Sequence, residues 1–250
     1  MTQTSPFIQM QTALLRMIAP PIPTTLNGVY DGKSKLATLL GEDFLKLVRG
    51  KHVVDFGCGD GNETVEMIRC GAALVTGVEM PDVLVKTRKT LEEAGVMDRC
   101  RLTSNAEGSE ADMVVSLDSF EHFADPEGIL KLILQILRPG GTLHISFGWM
   151  WYHPTGSHLI ELPPWSHVLF SEKAVLGWRA LMRNDGAMTY EAVGLNRMTI
   201  ARFERMIKAS PFEMVSLKLV PIRAARMFHN RLTREFLTST VRCVLRKPLK

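Results

Sequence analysis

The chain has 250 residues, 46% of them hydrophobic and 22% charged, which is ordinary for a soluble α/β protein with a sizeable core. No apolar run approaches the roughly 18 residues of a membrane span, and the N-terminus lacks a basic stretch followed by an apolar one, so neither a span nor a secretion leader is expected. The formal charge of +4 is mildly basic, and the four cysteines (Cys58, Cys70, Cys100, Cys243) show no C-x-x-C spacing. That argues against a disulfide frame or a zinc site and for reduced thiols in a cytoplasmic protein.

In chain order, residues 1–32 read as an irregular lead-in with Pro20, Pro21 and Pro23 close together, in which Thr12 to Ile18 forms a short amphipathic helix. Such a piece can fold over a site as part of a lid. Lys33 to Val48 reads as one helix delivering the chain to a first strand, Val53 to Phe56. Three glycines at alternate positions, Gly57, Gly59 and Gly61, end that strand, and a helix follows from about Asn62 with Gly71 as its stop. A turn without side chains between strand and helix lets a ligand approach the backbone. The pattern D-x-G-x-G-x-G puts Asp55 before the loop and Asp60 inside it. Two carboxylates are poor neighbours for a pyrophosphate but suit an ammonium or a sulfonium. Ala73 to Val78 reads as a second buried strand, ended by Glu79, 20 residues after Gly59. A carboxylate there can take both hydroxyls of a ribose.

A helix from Pro81-Asp82 to Gly95, a short strand from Arg101 to Thr103 and a better one from Asp112 to Leu117 come next. Asp125-Pro126-Glu127 opens a helix with Ile129, Leu130, Ile133, Ile136 and Leu137 on one face; Pro139-Gly140-Gly141 ends it, and Thr142 to Phe147 is the fifth strand. This alternation predicts a doubly wound parallel sheet. The segment from Trp149 to Asn196 holds all four tryptophans (Trp149, Trp151, Trp165, Trp178) together with His153, His158 and His167, and its part from Glu172 to Met182 is helical in pattern. After strand five it lies outside the carboxyl ends of the strands, where ligands of such sheets bind, so it reads as a substrate cap. For any single tryptophan, packing alone is an equal reading. Thr199 to Lys208 reads as a helix, and Met214 to Val220 and Phe236 to Leu245 as two last strands. The final 28 residues carry eight Lys/Arg against one acid, Glu235; a solvated face is the preferred reading over a nucleic-acid patch.

Asp55 to Gly61 resembles motif I of the class I S-adenosylmethionine-dependent methyltransferases, of the methyltransferase type 11 kind. Arg138 to Leu143 (R-P-G-G-T-L) resembles the turn that precedes strand five in that family. The resemblance implies a seven-stranded Rossmann-like methyltransferase sheet whose last two strands pair antiparallel, with the cap inserted after strand five. It divides the chain into a lead-in or lid (1–32), an S-adenosylmethionine-binding core (33–148), the aromatic-rich cap (149–196) and a C-terminal completion of the sheet (197–250). It also implies that Asp55, Gly57, Cys58, Gly59 and Gly61 hold the methionine part of the cofactor, that Glu79 holds the ribose and that Met80 packs on the adenine. Asn105 and Ala106 stand where the family often has Asp-Ala beside the adenine amino group, and Ser116 on strand four joins the cofactor-binding set.

On the acceptor side, Asp118-Ser119-Phe120-Glu121-His122 resembles the E-x-x-E-H element of O-methyltransferases of ubiquinone biosynthesis and of those acting on small-RNA 3′ ends. There the carboxylates and histidine bind a divalent ion that positions a hydroxyl, which makes Asp118, Glu121 and His122 a candidate metal set. Asp in place of the first Glu shortens the reach by one methylene. The preferred alternative has no metal, with Glu121 capping a helix and His122 lining the pocket. The general base is expected to be His122 or His153, in a cluster that His158 and His167 can join. The implied activity is methyl transfer to oxygen or nitrogen of a small, partly aromatic or apolar acceptor. An RNA 2′-O-methyltransferase and a non-catalytic partner subunit remain as alternatives, and nothing in the sequence sets the oligomeric state.

Overall fold

Adjacent valines at Val53 and Val54 already state the architecture, because successive side chains of a strand point to opposite faces. In the computed structural model, which describes residues 5–20, 30, 32–183 and 185–250, both are fully buried, one on each side of a sheet. The described residues form seven strands: β1 (His52–Phe56), β2 (Leu74–Val78), β3 (Cys100–Thr103), β4 (Ala111–Leu117), β5 (Leu137–Phe147), β6 (Glu213–Pro221) and β7 (Thr238–Arg246). Their spatial order is β3-β2-β1-β4-β5-β7-β6. The first five pair parallel and β7 runs antiparallel between β5 and β6, as the resemblance implies.

Helices cover both faces. One layer holds α2 (Lys35–Leu40), α3 (Phe44–Leu47), α4 (Asn62–Arg69) and α5 (Pro81–Glu93), which bury Leu36, Phe44, Ile68 and Leu91 against Val53, Val75 and Met113. The other holds α6 (Pro126–Ile136) and α9 (Ile200–Ala209), whose Leu130, Ile133 and Phe203 pack on Val54, Val114 and Ile145. The capping is legible in the sequence. The Asp125 carboxylate accepts from the Gly128 N–H at 2.9 Å, and the Thr199 hydroxyl accepts from the Arg202 N–H at 3.1 Å.

Three sequence-based expectations are corrected. Lys33 to Val48 is not one helix: Gly41, at φ +96°, breaks it into α2 and α3. The Pro139-Gly140-Gly141 turn is absorbed into β5, which starts at Leu137 opposite Ala111 and crosses a bulge before Thr142 meets Met113. Phe236 lies in a short helix, α10 (Arg234–Leu237), rather than in the last strand.

The lead-in is also more ordered than expected, with α1 spanning Pro6–Ile18 and a proline in its first turn; Pro21 and Pro23 lie outside the described residues. Residues 149–196 contain α7 (Ser166–Leu169) and α8 (Glu172–Arg179). Leu15 and Ala19 close a separate core with Leu159, Leu162, Val175, Trp178 and Tyr190. The Trp178 indole N–H donates to the Ala19 carbonyl at 2.7 Å, so that tryptophan is a structural pin. No helix among the described residues is long and apolar enough to cross a membrane.

Candidate active site

The glycine loop after β1 is built by backbone that only glycine tolerates comfortably. Gly57, Gly59 and Gly61 sit at φ +84°, +49° and +85°, and a Cβ on Gly57 would collide with the Ser119 hydroxyl. Ser119 therefore seats the turn after β4 directly on the loop. Below it, Asp55 is buried and its Oδ2 accepts from the Thr64 hydroxyl at 2.6 Å. Burial raises its pKa to about 7, although the Thr64 bond pulls the other way. Glu79, at the end of β2, accepts from the Gly59 N–H at 3.1 Å through Oε2 and from the Met80 N–H at 2.9 Å through Oε1.

A cleft of about 280 Å³ opens beside this loop, with Gly57, Glu79, Met80, Asn105, Ala106 and Phe123 among its lining. The positions expected to hold a ribose and an adenine thus share one space at the carboxyl end of the sheet. Met80 is exposed there, free to pack on a flat ring. The Asn105 side-chain carbonyl, expected to face an adenine amino group, instead accepts from the Glu107 N–H at 2.9 Å in a local turn.

Two residues expected at the cofactor do not line this cleft. Ser116 is fully buried inside β4 and does not line the cleft, and Cys58 turns its thiol inward against Gly77, leaving only its backbone to the loop. Burial pushes that thiol strongly upward in pKa, so it is an inert packing group.

The proposed metal set does not assemble. Asp118, at φ +50°, pairs with Lys35 at 3.0 Å; Glu121 is buried and its Oε1 accepts from the Gly148 N–H at 3.4 Å; the exposed His122 faces the Gly194 carbonyl at 2.8 Å. Three side chains that diverge this way offer no shared centre, and among the described residues no group of three His, Cys, Asp or Glu is placed to hold an ion.

What the turn does assemble is an imidazole and indole cluster. His122 meets His158 edge to face at 5.2 Å, His158 meets Trp149 at 5.6 Å, and Trp149 stacks on His153 at 5.5 Å. His167 stays apart, its Nε2 on the Trp151 carbonyl at 2.6 Å. Hydrogen-bond partners distinguish the two candidate bases. His122 Nδ1 faces a carbonyl and must donate, which leaves Nε2 as a free acceptor in the neutral ring. His153 Nδ1 accepts from the Thr155 N–H at 3.2 Å, so its Nε2 carries the proton and its one acceptor is already used. His153 thus has no free acceptor nitrogen in this arrangement, whereas His122 has one. Burial lowers the pKa of both His153 and His158 to about 4, so these rings are neutral at physiological pH.

His158, expected in the histidine cluster, and Trp149, expected in the cap, meet here, whereas Lys35 and Tyr30 beside Asp118 carried no expectation from motif reading. Lys35 keeps its charge: burial opposes it, but Asp118 and Glu63 outweigh that and raise its pKa. Its ammonium lies 5.7 Å from the centre of the Tyr30 ring. Only the N-cap Ser34, whose hydroxyl accepts from the Ala37 N–H at 2.8 Å, signals locally where this helix begins.

Glu121 supplies a pH test. Burial, then the Asp118 charge, lifts its pKa from the usual 4.5 to about 8, and its Oε2 is unpartnered among the described residues. The folded state holds this proton more tightly than the unfolded chain, so the contribution to stability is greatest below pH 4.5 and is lost as pH rises toward 8. Glu121→Gln should therefore exceed the wild type in unfolding free energy by roughly 4 kcal/mol at pH 8, and by only about 1 kcal/mol at pH 5. Urea unfolding at both pH values checks this; an equal difference at both would contradict a buried, proton-holding Glu121.

Comparison with known proteins agrees with this geometry. A model of the methyltransferase-domain family matches residues 30–217. The ubiquinone biosynthesis O-methyltransferase of Coxiella burnetii (strain Dugway 5J108-111) is 31% identical over 128 residues, covering 46% of this chain and 53% of that protein. The protein of the same name from Stutzerimonas stutzeri is 35% identical over 103 residues, or 39% and 44% of the two chains. The chain thus spans about half the length of the curated relatives it matches. Among solved structures, an S-adenosylmethionine-dependent methyltransferase from Mesorhizobium loti superposes with a TM-score of 0.52 at 16% identity, over 81% of this chain and 95% of that one. The cyclase SpnF gives 0.56 at 16% identity, over 97% and 95%. These two likenesses show the fold. The extent of the family match, with the glycine loop and Glu79 in register, shows that the chain belongs to the class I S-adenosylmethionine-dependent methyltransferases.

Proposed function

We propose that the protein transfers a methyl group from S-adenosylmethionine to a hydroxyl of a small, partly aromatic acceptor, with His122 as general base. The observation that carries this is the path of the turn after β4. Ser119 seats it on the glycine loop and Phe123 lines the cofactor cleft, while His122 between them opens onto His158, Trp149 and His153. One short turn thus joins the donor side to an aromatic acceptor side. The relatives named as O-methyltransferases support oxygen over nitrogen. Neither an RNA acceptor nor a catalytically silent role draws support from them.

The residues present fit the cofactor: side-chain-free backbone at Gly57 and Gly59, a carboxylate at Glu79 for the ribose hydroxyls, and a cleft with Met80 and Phe123 for a flat base. When bound, the cofactor supplies an electrophilic methyl on a sulfonium. The protein's part would be to hold the acceptor oxygen toward the bound cofactor and to keep water out. His122, its Nδ1–H held by the Gly194 carbonyl, takes the hydroxyl proton at Nε2 as the oxygen becomes nucleophilic. Trp149 provides a flat wall, and the protonated Nε2 of His153 is a donor that can orient a second acceptor oxygen. In this reading residues 149–196, with α1 docked on them, serve as the acceptor cap. Four free cysteines accord with a reducing cytoplasm.

The test is release of S-adenosylhomocysteine with phenols, catechols, aromatic amines and an RNA oligonucleotide as acceptors. Turnover confined to the hydroxylated aromatics is expected; turnover with amines or RNA alone would sink the reading.

A further inference from the structure

The basic C-terminal region, which the sequence presents as a solvated face, contains a surface of a different kind. Between β6 and β7 the chain leaves the sheet for residues 222–237 and exposes three arginines, Arg223, Arg226 and Arg231. None of them has a carboxylate partner among the described residues, whereas Arg234 is held by Glu204 through two bonds of 2.6 Å. The one acid of this stretch, Glu235, turns inward to accept from the Ile200 and Ala201 N–H groups at the start of α9. The outward charge is therefore all of one sign.

Interleaved with those arginines are Met227, Phe228 and Leu232, exposed to 83%, 60% and 89%. A merely solvated basic face has no reason to hold three large apolar side chains out into water. Single-stranded nucleic acid stacks its bases on aromatic rings, and of the two in this stretch Phe236 is already packed against Tyr152, which leaves Phe228; Met227 and Leu232 offer aliphatic tips that suit hydrocarbon. Cations interleaved with protruding aliphatic groups are the combination that holds proteins at the headgroup boundary of an anionic bilayer.

The location is informative as well. β7 starts from this connection and runs antiparallel to β5, with Val241 opposite Phe147, so the stretch stands at the end of the sheet where residues 149–196 begin. The Phe236 ring lies 5.4 Å from that of Tyr152 in that segment. We propose that residues 222–237 form a docking surface for an anionic lipid bilayer, which sets the acceptor side of the protein beside the membrane. The inference concerns binding and does not depend on which acceptor is methylated.

Co-sedimentation of the full chain with vesicles tests it. Vesicles of phosphatidylcholine with a quarter phosphatidylglycerol should bind the wild type, and pure phosphatidylcholine should bind it at least tenfold more weakly. At about fivefold per arginine, the Arg223→Gln, Arg226→Gln, Arg231→Gln variant should lose on the order of a hundredfold in affinity for the anionic vesicles. The Met227→Ser, Phe228→Ser, Leu232→Ser variant should lose at least tenfold. All six side chains are exposed, so both variants should keep the wild-type circular dichroism; one that does not is replaced by its single substitutions. Absence of vesicle binding by the wild type, undiminished binding by either variant, or tighter binding to a uridine 20-mer than to the anionic vesicles would overturn the proposal.

Discussion

Replacing His122 by alanine should lower turnover by about 10²- to 10⁴-fold while leaving S-adenosylmethionine affinity within about twofold. The size follows from losing a positioned proton acceptor for a hydroxyl that is a poor nucleophile at neutral pH. The selectivity follows from geometry: Gly57, Glu79, Met80 and Phe123 are among the residues that line the cleft, and His122 is not. His153→Ala should be milder, about tenfold, because its accepting nitrogen is already taken by the Thr155 N–H. The split between kcat and KM distinguishes a base from a wall: His122→Ala should lose kcat with KM nearly kept, and His153→Ala should mainly raise KM. Equal losses of kcat in the two variants would remove His122 from the chemistry.

Glu79→Ala should weaken cofactor binding by about two orders of magnitude, since hydrogen bonds to a charged group contribute about 1.5–3 kcal/mol each and a ribose offers two. The substitution also frees the Gly59 N–H, which the carboxylate now holds at 3.1 Å, and so loosens the loop itself. Glu79→Gln keeps one acceptor and should fall between. Calorimetry with S-adenosylhomocysteine measures all three. An unchanged dissociation constant in the alanine variant would mean that the ribose is not read at β2.

The parts of this architecture that the sequence declares are those where one residue type answers one physical demand. Val53 to Phe56 and Asp112 to Leu117 are legible because buried parallel strands are continuous apolar runs. Gly57, Gly59 and Gly61 are legible because each stands at positive φ. Glu79 follows from the length of one strand-helix-strand unit. Gly41 was equally visible, yet a glycine within an apolar periodic stretch can be tolerated or can break a helix, and only packing decides which.

The D-x-x-E-H element offered a metal set only as the less preferred reading, and the reason it does not assemble is clearer. Spacing specifies where backbone lies, not where side chains point. Asp118 at φ +50° swings its carboxylate to Lys35, and burial then sends Glu121 toward Gly148 while His122 stays outside. The contact found in place of the metal set, His122 with His158, joins the turn after β4 to a segment that has no regular pattern between Trp149 and Pro164. Nothing local encodes that meeting.

The most direct measurement uses S-adenosylmethionine carrying a ¹³C methyl group, the wild-type enzyme and a catechol acceptor, with the product examined by NMR and mass spectrometry. A single labelled methyl on oxygen is expected, formed by the wild type and nearly absent with His122→Ala. Label on a ring carbon, or equal product from the two enzymes, would contradict it.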